Sequence, residues 1–350
     1  MASYKYYLAV VSAFQNEARF LREWIEYHRL VGVEHFYLFD HNNVDNSREI
    51  LKPYIDRGLV TCTLWKDPYV HSINQARNQG LLMAKGQSRW LANIDTDEFL
   101  VPHKTNDLRS LLRNYEDFGG LVINWQIFGT SNVEVIPSHK TLIETLVHKA
   151  PKDLAVNRHI KSIVQTQYTI LIDHPHFARY IPGKYAVNSL KQRVDGAFDN
   201  VGISEIQVNH YYFRDLKFVR EVKIERANRS NPNHGKAIER DATGTSYSLA
   251  QDQSILHFVP PLRKALGLEI NIGTKLIPNK VKPMLAKVKP IDPVPDKVKP
   301  TNPMLGKVNP INPTPAKVNP INPTPAKVKP IDPKPAKVKP IDPRPATKRI

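Results

Sequence analysis

In the first hundred residues, short apolar, β-branched runs alternate with longer stretches whose apolar positions recur every three or four residues, the patterns of strands and amphipathic helices respectively. A strand is predicted over Tyr6 to Ser12, and then a helix from Glu17 to Val31 with Phe20, Trp24 (or Leu21, Ile25) and His28 at helical spacing. His35 to Asp40 reads as a second strand, Ser47 to Arg57 as a helix closed by Gly58, and Val60 to Trp65 as a third strand. Ser72 can cap a helix to about Lys85, ended by Gly86, and Trp90 to Asp95 follows as a fourth strand. Strand and helix in strict alternation predict an α/β fold, a Rossmann-like, mostly parallel sheet with flanking helices. Beyond it the pattern gives a helix near Asp107 to Tyr115, a strand at Leu121 to Trp125 and a loop through FGTSN. It then gives β-like runs at Ile160 to Gln165 and Tyr168 to Ile172, a strand at Glu205 to Tyr212, and a basic helix from about Leu216 to Ala227. The Asn-, Gly- and Thr-rich segment from Ser230 to Ser248 reads as a mobile surface loop, able to serve as a lid.

The pattern changes near Pro278, and the chain divides on sequence into 1–279, the globular part, and 280–350. The second part is a ten-residue repeat, VNPINPTPAK twice and then VKPIDPKPAK. Proline at every second or third position removes backbone donors and favours polyproline II, so a disordered, extended, Lys/Pro-rich tail is expected. It holds 14 Lys and 2 Arg against 4 Asp, hence +12 of the chain's formal +17. The globular part is left with +5, which removes the reason to invoke nucleic acid as a partner. The tail reads either as a solubilising low-complexity segment or as an attachment to an anionic membrane surface, where each basic residue gains about 1 kcal/mol. Cys62 is the only cysteine, which excludes an intramolecular disulfide and a Cys-rich zinc site. No window is apolar for the roughly 18 residues that a membrane span needs, and the N-terminus has no basic stretch leading to a small-residue cleavage site. A cytoplasmic protein is expected, peripheral at the membrane if the tail attaches it.

The chemistry concentrates at strand ends. WLANIDTDEFL places Asp95 and Asp97 one residue apart behind an apolar run. In extended chain they share a face, and two adjacent hard oxygen ligands suit Mg²⁺ or Mn²⁺. Ligands of open parallel sheets bind beyond the carboxyl ends of the strands. Asn16 and Glu17 stand there after strand one, and Asp40, Asn42 and Asn43 after strand two. A carboxylate or amide beyond strand two can hold a nucleoside base or ribose, although the G-x-G-x-x-G turn of dinucleotide folds is absent. Arg77 and Asn78 lie on the helix before the acidic pair, where an arginine can reach a metal-bound diphosphate. Trp125 reads either as a buried core residue or as an apolar face for a sugar ring.

NEARFLREWIEYHRLVGVEHFYLFDHNNVDNS resembles the N-terminal signature of glycosyltransferase family 92 and its family 2-like relatives. RWLANIDTDEFLVP is similar to the family's W-x-x-x-I-D-x-D-E-F, and VNHYYFRDLKFVREVK to its late N-H-Y segment with a basic helix. The resemblance covers roughly residues 8 to 227. It implies a GT-A fold, Mn²⁺ or Mg²⁺, and inverting transfer of a sugar from a nucleotide diphosphate sugar, usually UDP-linked, to a glycan or glycolipid acceptor. It further implies Asp97 as main metal ligand, Asp95 bridging metal and ribose, His210 as third ligand or diphosphate contact, and Lys223 as a charge on the diphosphate. HNNVDNS departs from the family's tidier D-N-x-S-x-D, so Asp45 can share the role of Asp40. Inversion needs a base for the acceptor hydroxyl. Asp195, Asp199 and Glu205 are the candidates, and sequence does not choose among them. Two other readings stay open: a nucleotidyltransferase, whose Gly- and Lys-rich phosphate loop SAFQNEARF lacks, and a non-catalytic scaffold that docks partners through the proline-rich tail.

Overall fold

A computed structural model describes residues 3–66, 72–229 and 232–268. The first four strands are β1 (Tyr6–Phe14), β2 (His35–Asp40), β3 (Val60–Leu64) and β4 (Ser88–Asn93). Between them run α1 (Ala18–Leu30), α2 (Ser47–Asp56) and α3 (Ser72–Ala84). Gly58 and Gly86, at φ +70 and +76, turn the chain after α2 and α3, the left-handed exit that the sequence marked. The strands pair in parallel in the order β3-β2-β1-β4.

Both faces of this parallel sheet are covered, and the period of two along each strand divides the core accordingly. Leu8, Val10, Phe36 and Leu38 face α1 and α2, packing with Leu21, Trp24, Ile25, Leu51 and Tyr54 in the larger core. Ala9, Val11, Tyr37 and Phe39 face α3 and its Ala76, Leu81 and Ala84. That two-sided burial is why the strands read as unbroken apolar runs rather than alternating ones.

The second half departs from a simple parallel array. After β5 (Glu98–Pro102), the short helix α4 (Leu108–Leu112) and β6 (Gly120–Ile127), strand β7 (Ile160–Gln165) inserts between β4 and β6, antiparallel to both. Strand β8 (Ile206–His210) pairs parallel with β6 and antiparallel with β5. The basic helix runs as Leu216–Phe218, a π-helical turn Val219–Lys223, and Ile224–Asn228. The segment expected to be a mobile loop is instead largely the helix α5 (Pro232–Thr243), whose Ile238 and Ala242 are buried with Phe213, Val219 and Ala227. Those apolar positions at helical spacing, i and i+4, outweigh its Asn and Gly content. A last helix, α6 (Val259–Leu266), returns to pack against α1 through Leu262. The capping role expected of the Ser72 side chain, the domain boundary near 279 and the repeat tail all lie outside the described residues.

Candidate active site

The carboxyl ends of β1 and β4, the loop between β4 and β5, and the ends of β6 and β8 enclose a cavity of about 430 Å³. Asp95, Thr96 and Asp97 form its floor, with Phe14, Gln15 and His41 at one end and Trp125, Pro175 and His176 at the other. The acidic pair does not lie in extended strand. β4 ends at Asn93 and β5 begins at Glu98, and the four residues between them form a turn held by Glu98 N–H donating to Asp95 O and Asp95 N–H donating to the Glu98 carboxylate at 2.8 Å. The expectation that the two aspartates share a face is therefore corrected: a turn has no period of two, and the carboxylates diverge to different partners.

Asp95 is gripped by Arg77 through one oxygen and by Lys161 Nζ at 2.6 Å through the other. Asp97 places Oδ2 2.8 Å from Lys223 Nζ and 3.7 Å from Arg214, and Oδ1 3.5 Å from His210 Nε2. Burial opposes both charges, yet the surrounding cations outweigh it and hold both carboxyls well below the usual range. Burial wins at Glu98, which is pushed up to about 6 even with Lys161 3.2 Å away, and it raises Glu17 despite its pairs with Arg214 and Arg226. Five basic side chains, Arg77, Lys161, Arg214, Lys223 and Arg226, thus face four acids, burial biasing Glu17 and Glu98 toward the neutral form and lowering the Lys223 ammonium as well. The local field favours an added anion.

Asp97 and His210 suit a divalent cation. Their facing donors are 3.5 Å apart, close to the ~3 Å between neighbouring donors on an octahedral ion with bonds of about 2.1 Å. Among the described residues no three His, Cys, Asp or Glu side chains converge on one point. Two donors suffice, because Mg²⁺-like ions take one or two protein ligands and complete their shell with water and substrate phosphate. Asp95 is a poorer ligand than expected, since both its oxygens are already engaged.

The residues expected to read a nucleoside are placed differently. Asp40 is buried and filled by Arg48 Nε at 2.7 Å and by Asn43, whose backbone and side-chain N–H groups donate at 3.0 and 2.7 Å. Asn42 is exposed at φ +55, and Asn16, also at φ +55, accepts from Val44 N–H at 3.0 Å. Asp45 accepts from Ala18 N–H at 2.9 Å. These groups tie the ends of β1 and β2 together and do not line the cavity; Gln15 and His41 on the same edge do. Asn78 makes a two-way clasp with Ile172, donating at 2.8 Å and accepting at 2.7 Å, also outside the cavity.

None of the three acids considered as bases lines the cavity either. Asp195 is exposed and paired with Arg193 at 3.0 Å, Asp199 accepts from Asn188 at 2.9 Å, and Glu205 pairs with Lys104. Glu17, Arg77, Asp95, Asp97, His210, Lys223 and Trp125 all line this cavity. Sequence reasoning missed Lys161, His176, Arg214 and Arg226. Lys161 carried a signal, as a lone cation inside the apolar strand IKSIVQ, where an unpaired charge is too costly to bury.

The sequence model of glycosyltransferase family 92 matches residues 6–245, which include every residue of this site. The chain belongs to that family. A family 92 glycosyltransferase of Ricinus communis is 28% identical over 69% of this chain and 42% of its own length. One of Oryza sativa is 29% identical over 59% of this chain and 33% of its own. The chain therefore spans less than half the length of these family members. Its architecture is α/β, a mostly parallel sheet with flanking helices. Among solved structures, TarS of S. aureus (residues 1–349) aligns over 75% of this chain and 76% of its own at 11% identity and a TM-score of 0.34. Glucosyl-3-phosphoglycerate synthase of Mycobacterium tuberculosis, solved with Mn²⁺ and uridine diphosphate, aligns over 46% of this chain and 57% of its own at 14% identity and a TM-score of 0.27.

Proposed function

We infer that this protein transfers a sugar from a nucleotide diphosphate sugar, UDP-linked, to a hydroxyl of a glycan or glycolipid, with inversion at the anomeric carbon. The observation that carries the reading is the cavity floor, where the Asp97–His210 pair is set among cations in excess. Asp97 and His210 would hold Mn²⁺ or Mg²⁺. Such an ion, when bound, supplies Lewis-acid stabilisation of the charge that develops on the diphosphate.

The chain's own residues account for the remaining tasks. Lys223 and Arg226 stand on the basic helix beside the acidic turn and offer point and forked charges to phosphate oxygens. The edge made by Phe14, Gln15 and His41 takes the nucleoside, with Gln15 Nε2 fixed on His41 O at 2.9 Å. Lys161 and Arg77 hold Asp95 so that its carboxylate presents a fixed acceptor to sugar or ribose hydroxyls. Trp125 gives the sugar ring an apolar face at the far end.

Calorimetry with UDP and Mn²⁺ tests this reading. UDP should bind the wild type only weakly without Mn²⁺ and at least tenfold more tightly with it, and Asp97→Ala should abolish the difference. Wild-type protein that shows no metal-linked UDP binding is a scaffold instead.

A further inference from the structure

We propose that His176 Nε2 receives the proton of the attacking acceptor hydroxyl, so that the base of this site is an imidazole on the chain after β7 rather than a carboxylate. The inference rests on the transferase reading above and names its missing base. His176 lines the cavity between Pro175 and Trp125, its ring edge-on to the indole with centroids 5.0 Å apart. That is the end away from Gln15 and His41, where the acceptor must approach if the nucleoside occupies the other.

Three observations fix the imidazole for this task. Its Nδ1–H donates to Ile160 O at 2.7 Å, which leaves the lone pair on Nε2, and Nε2 has no hydrogen-bond partner among the described residues. Its backbone is pinned to two strands of the sheet: Ser162 Oγ of β7 donates to His176 O at 2.6 Å, and Asn93 Nδ2 of β4 donates to Pro175 O at 3.1 Å. Burial, followed by the field of Lys161, lowers its pKa to about 3, against smaller opposing effects from the Ile160 hydrogen bond and Asp95. It is therefore neutral at physiological pH, with the Nε2 lone pair available.

The other proton acceptors on the cavity wall are either committed to partners or placed away from the Trp125 end. Asp95, Asp97 and Glu17 are in ion pairs, and His210 faces Asp97 as its co-ligand. His41 stands at the nucleoside end, on the chain just after β2, and His234 is exposed on α5.

In the step itself an oxygen lone pair of the acceptor hydroxyl forms the bond to the anomeric carbon. The bond from that carbon to the diphosphate oxygen breaks with its electron pair, which stays on the nucleoside diphosphate. The hydroxyl proton passes to His176 Nε2, and the imidazolium later releases it to water. No oxidant or further reactant is needed.

His176→Asn tests this, because the asparagine amide can still donate to Ile160 O in place of Nδ1 while the Nε2 acceptor is gone. Hydrolysis of a panel of UDP-sugars with Mn²⁺, water standing in for the acceptor, gives turnover, and calorimetry with UDP and Mn²⁺ gives donor-site integrity. Turnover should fall by at least 100-fold, with UDP affinity changed by less than twofold. In His176→Gly, added imidazole should restore at least a tenth of the wild-type rate. Turnover within tenfold of wild type in His176→Asn overturns the proposal, as does a parallel loss of UDP binding or a failure of imidazole to rescue. A wild type that binds UDP with Mn²⁺ but has a carboxylate base is thereby told apart from one that binds no UDP, which sinks the transferase reading itself.

Discussion

Arg214 is fully buried at φ +53, with its guanidinium over the rings of Phe20 and Phe218 at 4.9 and 4.5 Å. It reaches Glu17 at 2.5 Å, Thr96 O at 3.2 Å and Asp97 at 3.7 Å, and so ties the acidic turn to the start of α1. Removing one partner of such a network strands the others as buried, uncompensated charge, at a cost of about 3–5 kcal/mol. Arg214→Met should therefore lower the unfolding free energy measured in urea by that amount, and Arg214→Lys should recover only part, since a point charge cannot span three acceptors. His28 sits at the opposite side of the same core. Its Nδ1–H donates to Trp24 O at 2.8 Å and its Nε2 faces Leu100 N–H at 3.4 Å, so only the neutral ring fits, and burial lowers its pKa to about 3. A histidine whose folded pKa lies below its unfolded value of about 6.5 stabilises the protein above pH 6.5, and that stability is lost as pH falls toward 3. Between pH 6.5 and 5 the loss is roughly 1.5 kcal/mol from this group. Urea unfolding at the two pH values should show His28→Gln losing less stability than wild type by about that amount.

At the scale of elements, α3 rides close on β1 at Gly80. A Cβ there would lie 2.4 Å from Val11 Cγ2 and 3.1 Å from Phe39 Cε2. Helix propensity favours alanine by about 1 kcal/mol, while overpacking a close-packed contact costs about 1–3. The contact wins because Val11 lies inside a strand buried on both faces, so Gly80→Ala should destabilise by about 1 kcal/mol in thermal or urea unfolding. The same two-sided burial explains what the sequence made legible. Unbroken apolar runs and glycine-ended helices marked β1 to β4 and α1 to α3 within a few residues. β5 went unrecognised because Glu98 opens it, a buried acid that no periodicity marks. The antiparallel insertion of β7 was invisible because its pairing with Gly120–Asn124 and Trp90–Asn93 spans long separations in sequence. Of the site, the acids and His210 stood out by type and position, whereas Arg214, Arg226, Lys161 and His176 drew their meaning from partners far along the chain. Asp40 misled for the converse reason: local bonds to Asn43 and Arg48 fill it, and strand-end position alone does not show that.

For the whole molecule, the cavity and cores found among the described residues lie before residue 269, while residues 280–350 carry +12 of the net charge. The described site and most of the charge thus lie on different stretches of the chain, and the two properties should respond separately to truncation. Deleting 280–350 should leave Mn²⁺-linked UDP affinity within twofold and the urea midpoint unchanged. If the basic repeat attaches the protein to anionic lipid, the same deletion should abolish sedimentation with vesicles containing phosphatidylserine. Residues 1–279 keep only +5, and each repeat charge is worth about 1 kcal/mol near such a membrane. Binding of the full chain should also weaken steeply as salt rises, because a charge-driven attachment is screened within about 10 Å at 0.1 M. Sedimentation that survives the deletion, or that ignores salt, assigns the tail no part in membrane attachment and leaves it a solubilising extension of the transferase domain.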